Sequence, residues 1–218
     1  SGLLDLITSL AAPWLDQAAG IGVCTPGWHD PRSGRISLAG NIPALTGADL
    51  RSLLQERLSL PVTVCNDADA AALAEFRLGA ARGWDSLFFV TVSTGVGGGF
   101  VNGSGILTGH SGTAAEIGHL QVVPGGLRCA CGASGCLEAH ASGTAIARLA
   151  SERSGRQLTA RQVFALWHEG DAVATEVISS AAAALGAALH SVTQLLDPQG
   201  IVLGGGVVAG NPQLASLV

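Results

Sequence analysis

Three cysteines, a histidine and two glutamates crowd one short stretch of this chain: Glu116-Ile-Gly-His119, nine further residues, then Cys129, Cys131, Cys136 and Glu138. One imidazole and three thiolates supply the four N/S donors of a closed tetrahedral Zn²⁺ site. Gly125 and Gly126 precede the thiols and Gly132 and Gly135 separate them. Glycine tolerates the positive φ that wrapping a loop round one ion demands. Unrelated reduced thiols would be a blander explanation. A disulfide explains less, because Cys129 and Cys131 are too close for an easy bridge and the chain has five cysteines, an odd number. The stretch predicts a zinc site with His119, Cys129, Cys131 and Cys136 as ligands. Cys24 and Cys65 each end an apolar run and are expected to be buried thiols.

Other residues could do chemistry at the ends of apolar runs. Asn66-Asp67 follows Pro61-Val-Thr-Val-Cys65 and precedes an Ala-rich helical pattern. A carboxylate there can take a proton from a substrate hydroxyl while the amide holds a neighbouring one, assistance worth about 10²–10⁴ in rate; Asp67 or Asp69 could equally cap the helix. Thr94-Gly-Val-Gly-Gly-Gly99 could offer backbone N–H groups, with the Ser93 and Thr94 hydroxyls, to phosphate oxygens, or be a glycine bulge in a hairpin. It is neither a P-loop nor a dinucleotide fingerprint, since a strand pattern follows it. Gly204-Gly205-Gly206 could admit a flat base and ribose against bare backbone, or simply turn a strand into a helix. Glu116 and Glu138, fixed by a metal-bound loop, could accept hydrogen bonds from vicinal hydroxyls, or be surface glutamates. His29, His110, His140, His168 and His190 are expected to be locally satisfied imidazoles.

The elements that must position these groups follow from periodicity. Leu3 to Leu15 has helical spacing that Pro13 should kink or end. Gly20–Cys24, Pro61–Cys65, Ser86–Ser93 and Gly200–Gly204 predict buried strands, with a short return strand over Arg35–Leu38. Helices are expected after a Thr46–Asp49 capping box, from Ala68 to Ala81, over Ser142–Ser151 and Thr159–His168, and from Asp171 to Leu196, stopped by Pro198. Asn102-Gly103 predicts a type I′ hairpin. Alternating strands and helices imply an α/β fold with a largely parallel sheet and active residues at C-terminal strand ends. The restart at Ser86 suggests two lobes, 1–82 carrying Asn66-Asp67 and 83–218 carrying the glycine loop and zinc loop.

At 218 residues, 48% hydrophobic and 12% charged, the chain excludes disorder. Apolar runs fall short of about 20 residues, so no membrane span is expected. A net charge of −5 without a basic run weighs against nucleic acid, and free thiols suit a reducing cytoplasm.

The chain resembles the ROK family (repressors, open reading frames and sugar kinases). The likeness covers nearly the whole length and rests on Thr25-Pro-Gly27, Asn66-Asp67, Ser93-Thr-Gly-Val-Gly-Gly-Gly99, Glu116-Ile-Gly-His119, Cys129 to Glu138 and Leu203-Gly-Gly-Gly206. It implies the two-lobed, actin-like (hexokinase/ribonuclease H-like) ATPase fold and transfer of phosphate from ATP–Mg²⁺ to the 6-hydroxyl of a hexose or N-acetylhexosamine. By resemblance Asp67 is the base. Asn66, Glu116, His119 and Glu138 hold the sugar, with Gly27 and Asn41 lining the pocket. Thr94 and Gly95 touch the ATP phosphates, and Gly205 and Gly206 the adenosine. The zinc would be structural. Family members commonly form dimers or tetramers.

The same resemblance implies an opening phosphate loop of the Asp-x-Gly-Gly-Thr type, and closing helices, beyond both ends of this chain. Residues 1–218 alone are therefore expected not to turn over ATP. A sugar-responsive repressor with an N-terminal helix-turn-helix is the alternative; intact Asp67 and the Thr94–Gly99 loop favour the kinase. A zinc-stabilised interaction module would leave Asn66-Asp67 idle. The sugar stays open between glucose and N-acetylmannosamine.

Overall fold

A computed structural model describes residues 2–39 and 42–218, which divide into two compact units: Ser1–Ala71 with Leu107–Ala114, and Ala72–Ile106 with Ala115–Val218.

In the first unit, helix α1 (Gly2–Ala11) ends where Pro13 opens the 3₁₀ turn Ala12–Gln17, since proline removes the next helical donor. Strand β1 (Ile21–Thr25) leads to the antiparallel pair β2 (Trp28–His29) and β3 (Ile36–Leu38). Helix α2 (Leu50–Leu58) is capped by Asp49, whose carboxylate accepts from Ser52 N, and not by Thr46. Thr46 Oγ1 instead accepts from Ala39 N, 3.1 Å away, so the capping box expected over Thr46–Asp49 starts three residues late. Strand β4 (Val62–Asn66) lies parallel to β1, with Cys24 opposite Cys65 and Thr25 opposite Asn66. Ile36, Leu50, Leu54, Leu58, Val62 and Val64 form the core, and Leu4, Ile7 and Leu15 pack onto it. Helix α3 (Asp67–Leu78) then carries the chain from the first unit into the second.

The second unit is built on a four-stranded sheet. Strand β5 (Ser86–Val92) pairs antiparallel with β6 (Val96–Asn102), which pairs with β7 (Gly105–Ile106). The hairpin turn is not type I′. Asn102 opposes Gly105, and the positive φ, 108°, sits on Gly105. Asn102 Oδ1 accepts from Ser104 N at 2.9 Å, so the asparagine holds the turn from its flank. Helices α4 (Leu137–Ala141), α5 (Gly143–Ser154), α6 (Ala160–His168) and α7 (Ala172–Leu196) follow. Ser142, Thr159 and Asp171 are the side-chain caps of α5, α6 and α7, and Thr159 completes a capping box with Gln162. Strand β8 (Gly200–Gly204) lies parallel to β5, and α8 (Gly206–Gly210) follows Gly205.

Among the described residues the sheets are mixed rather than largely parallel: β1–β4 and β5–β8 are parallel, the other three pairings antiparallel. Short hairpin connections force the antiparallel pairs, whereas parallel ones need a crossover helix. Helix α7, with 25 residues, is long and apolar enough to cross a membrane by length and composition alone. Its Val177, Ile178, Ala181, Leu185 and Ala188 are buried in the core shared with α4, α5 and α6.

Candidate functional site

The metal loop has little regular structure. A 3₁₀ turn, Ile117–His119, presents the imidazole. Gly118 lets that turn approach β6, because a Cβ there would drive into the Val96 carbonyl. The loop then closes through isolated bridges, Gln121 to Cys136 and Arg128 to Ser134. Gly125, Gly132 and Gly135 all have positive φ, but Gly126 does not; it is small to admit His140, whose Nε2 accepts from Leu127 N at 3.1 Å. Burial, then Arg148, lowers the His140 pKa and keeps that nitrogen an acceptor.

The loop brings one donor atom each from His119, Cys129, Cys131 and Cys136 within 4.8 Å of one another. Cys131 and Cys136 sulfurs stand 3.6 Å apart, and Cys129 Sγ lies 3.7 Å from His119 Nδ1. Ligands at zinc–sulfur and zinc–nitrogen bond lengths in a tetrahedron sit about 3.6–3.8 Å apart, so the donors fit Zn²⁺. Cys129 and Cys136 are buried. Without a cation, burial first and the neighbouring thiols second push Cys136 up to about 12. A dication is what would let three such thiols ionise together.

Glu138 opens α4 two residues after Cys136, and its Oε2 accepts from Val96 N at 3.0 Å. The same carboxylate oxygen packs against Gly95, so a side chain there would have to push it aside. The Ser93–Gly95 turn is held from its other side by α5: Gly143 N donates to Ser93 O at 2.8 Å and Thr144 Oγ1 to Thr94 O at 2.8 Å. The expected phosphate nest shrinks to this turn, since Gly97, Gly98 and Gly99 spend their backbone groups in the β5–β6 ladder. Their smallness serves packing, as a Cβ on Gly98 would meet Ala115 O and Ile117. Ala115, with φ of 62°, is a strained position directly before Glu116.

The turn opens on a cleft of about 920 Å³, bordered by Ser93, Thr94, Thr144, Arg161, His168 and Gly206 among others. Gly206 starts α8, and Gly205 before it has φ of 88°. Thr144, Arg161 and His168 are not among the residues that the sequence singles out for a site; helices are expected over Ser142–Ser151 and Thr159–His168, and α5 and α6 start beside this cleft.

In the first unit, Asn66 rather than Asp67 is the principal cap of α3. Its Oδ1 accepts from Ala68 N at 2.7 Å and Asp69 N at 3.2 Å, and its Nδ2 donates to Gly27 O at 3.0 Å. Gly27 has φ of 110°, and a Cβ there would lie 3.0 Å from Ala39 Cα, so only glycine fits. Asp67 is exposed, with Oδ1 accepting from Ala68 N. Burial, and then the Asp67 charge, raise Asp69 to about 6. Among the described residues, Asp69 Oδ1 and His29 Nδ1 are the buried side-chain polar atoms without a hydrogen-bond partner. Burial lowers the His29 pKa, and its Nε2 lies 3.0 Å from Thr25 Oγ1. Asn41 lies outside the described residues. Cys24 is exposed, against the expectation of a buried thiol, while Cys65 is half-buried.

Over 203 residues the chain is 41% identical to a glucokinase of Halalkalibacterium halodurans, which covers 86% of this chain and 61% of that protein. It is 37% identical over 209 residues to an N-acetylmannosamine kinase of Yersinia pestis, 94% of this chain and 70% of that one. A ROK family glucokinase from Streptomyces griseus, solved in complex with glucose and AMPPNP, matches with a TM-score of 0.85 at 31% identity over 99% of this chain and 75% of that one. The chain thus spans 61% of the first of these relatives. The fold is that of the actin-like ATPases, as the resemblance implied. The ROK family model matches residues 1–218, and the chain belongs to the ROK family.

Proposed function

We propose that the protein carrying this chain transfers the terminal phosphoryl group of ATP to the 6-hydroxyl of a hexose or N-acetylhexosamine, glucose or N-acetylmannosamine. The observation that carries this reading is the Ser93–Gly95 turn. Glu138 holds Val96, the residue after the turn, Thr144 holds the Thr94 carbonyl within it, and the turn opens on a cleft large enough for a nucleotide. Relatives named glucokinase and N-acetylmannosamine kinase support the reading.

Asp67 acts as general base on the sugar hydroxyl. Its exposure and its place in the first turn of α3 suit the role. Asn66, braced by Gly27, keeps one amide N–H for a sugar oxygen; Glu116, His119 and Glu138 accept or donate hydrogen bonds to ring hydroxyls. Thr94 and Gly95 orient the phosphates, and Gly205 and Gly206 admit the adenosine. Mg²⁺ entering with ATP offsets charge on the transferring group. Zinc held by His119, Cys129, Cys131 and Cys136 is structural, because four protein ligands leave no open position. Nδ1 of His119 faces the cluster, so a bound ion would fix the orientation of the ring. The protein is placed in the cytoplasm as a homodimer or homotetramer, with neither nucleic acid nor membrane engaged through this segment; its thiols are unpaired and its charge is −5.

An ATP-coupled assay of the full-length protein with glucose, N-acetylglucosamine and N-acetylmannosamine tests the proposal. Turnover with one of them that disappears in Asp67→Asn is expected. Absence of turnover with all three, in protein that binds zinc and melts cooperatively, would overturn it.

A further inference from the structure

Cys24 and Cys65 take no part in the metal centre, yet they face each other. They are register partners on β1 and β4, with sulfurs 3.9 Å apart. Neighbouring strands run about 4.8 Å apart, inside the window of about 4.4–6.8 Å between Cα atoms that disulfides occupy. Side chains on register partners leave the sheet on the same face, so the sulfurs, 3.9 Å apart, need close only to a bond of about 2 Å. Cys24 is exposed, and a dissolved oxidant reaches it without any unfolding. The pair also sits at a telling place. Gly27 is three residues beyond Cys24, Asn66 is the residue after Cys65, and the Asn66 amide donates to Gly27 O.

We propose that Cys24 and Cys65 form a reversible disulfide, a redox modification site at the ends of β1 and β4 whose oxidant is hydrogen peroxide or an organic hydroperoxide. In the first step the Cys24 thiolate attacks the peroxide, the O–O bond breaks, and hydroxide (alkoxide from an organic hydroperoxide) leaves to be protonated, giving a sulfenic acid. In the second, the Cys65 sulfur attacks Cys24 Sγ and the S–O bond breaks. The Cys65 proton goes to the departing hydroxide, which leaves as water. Two thiols lose two electrons and two protons; for hydrogen peroxide the products are two waters. A dithiol reverses the bond by exchange.

The second step sets the pace. Burial, and next the charge of Cys24, push the Cys65 thiol up to about 12, so little of it is thiolate at neutral pH. Cys131 is exposed as well, so the test must locate the bond and not merely count thiols.

Zinc-loaded full-length protein is treated with hydrogen peroxide, its remaining thiols are blocked with N-ethylmaleimide, and an unreduced tryptic digest is mapped by mass spectrometry. The expected product joins the peptide holding Cys24 to the one holding Cys65, about 2 Da below their summed mass. It disappears on dithiothreitol treatment and in Cys24→Ser and Cys65→Ser, and it forms faster at pH 8.5 than at about pH 7. Recovering both cysteines as maleimide adducts, or Cys24 over-oxidised without a linked partner, overturns the proposal. The map needs no kinase activity, so it stands or falls apart from the proposed reaction.

Discussion

The metal loop and the β4–α3 junction each hold functional groups in place, by opposite means. From His119 to Cys136 the backbone has one 3₁₀ turn, two isolated bridges and three left-handed glycines. Only scattered backbone bonds, such as Cys129 N to Ala133 O and Gly135 N to Leu127 O, hold those donors, and a shared ion would add to them. Asn66 and Asp67 instead stand where a five-residue strand becomes a twelve-residue helix, and the Asn66 side chain ties the junction to Gly27. One site would be completed by chelation, and the other is made by secondary structure. The first should therefore fail when a metal is withdrawn, the second only when its own residues are changed.

Asp67→Asn tests the contrast most sharply. It should lower kcat for sugar phosphorylation by about 10²–10⁴, read in an ATP-coupled assay, with the melting temperature unmoved because Asn66 remains the cap. Preserved turnover would return Asp67 to the rank of a helix-end carboxylate. Stripping zinc with a strong chelator should act the other way. The melting temperature should fall on the order of 10 °C, with recovery on adding Zn²⁺; metal analysis should find zinc before treatment and not after. An unchanged melt would mean that hydrogen bonds alone hold the loop.

Smaller effects sharpen the junction. Asn66→Ala removes two accepted hydrogen bonds from the start of α3 and should cost about 1 kcal/mol in denaturant unfolding, with a higher KM for the sugar. Asp69→Asn should change stability least. Asp69 is raised to about 6 in the fold from an ordinary 3.8, by burial and then by Asp67. The folded state thus favours its protonated form, and that contribution, full below about pH 4, is lost as pH rises to about 6. Partial exposure screens the effect, so Asp69→Asn should gain only about 1 kcal/mol at pH 7. Urea titrations from pH 4 to 7 should show a flatter profile for the variant.

What was legible in the sequence was what one residue type can do alone or at fixed spacing. Ligand spacing named His119, Cys129, Cys131 and Cys136, and the structure brings those donors together. Pro13 ended its helix, and Ser142, Thr159 and Asp171 capped theirs. Choices between neighbouring positions were not legible. Thr46 and Asp49 are both competent caps, and Ala39 N decided between them by engaging Thr46. Asn102-Gly103 lost its turn type to Gly105. Gly97 to Gly99 read as a loop because glycine has no pattern of its own; pairing with β5 made them strand. The cleft residues Arg161 and His168 share one face of α6, but only helix packing sets that face beside Ser93, Thr94 and Gly206.

Helix α7 carries a further consequence. It touches α4, α5, α6 and the 3₁₀ segment Pro212–Leu217, and Ala181, Ala182, Ala184 and Ala188 are among its buried residues. Methyl-sized contacts let neighbours come close but leave each of them little grip of its own. Heat should consequently dismantle this unit in a single step rather than peel it helix by helix, and a branched side chain put in place of Ala188 would loosen every partner of the rod together.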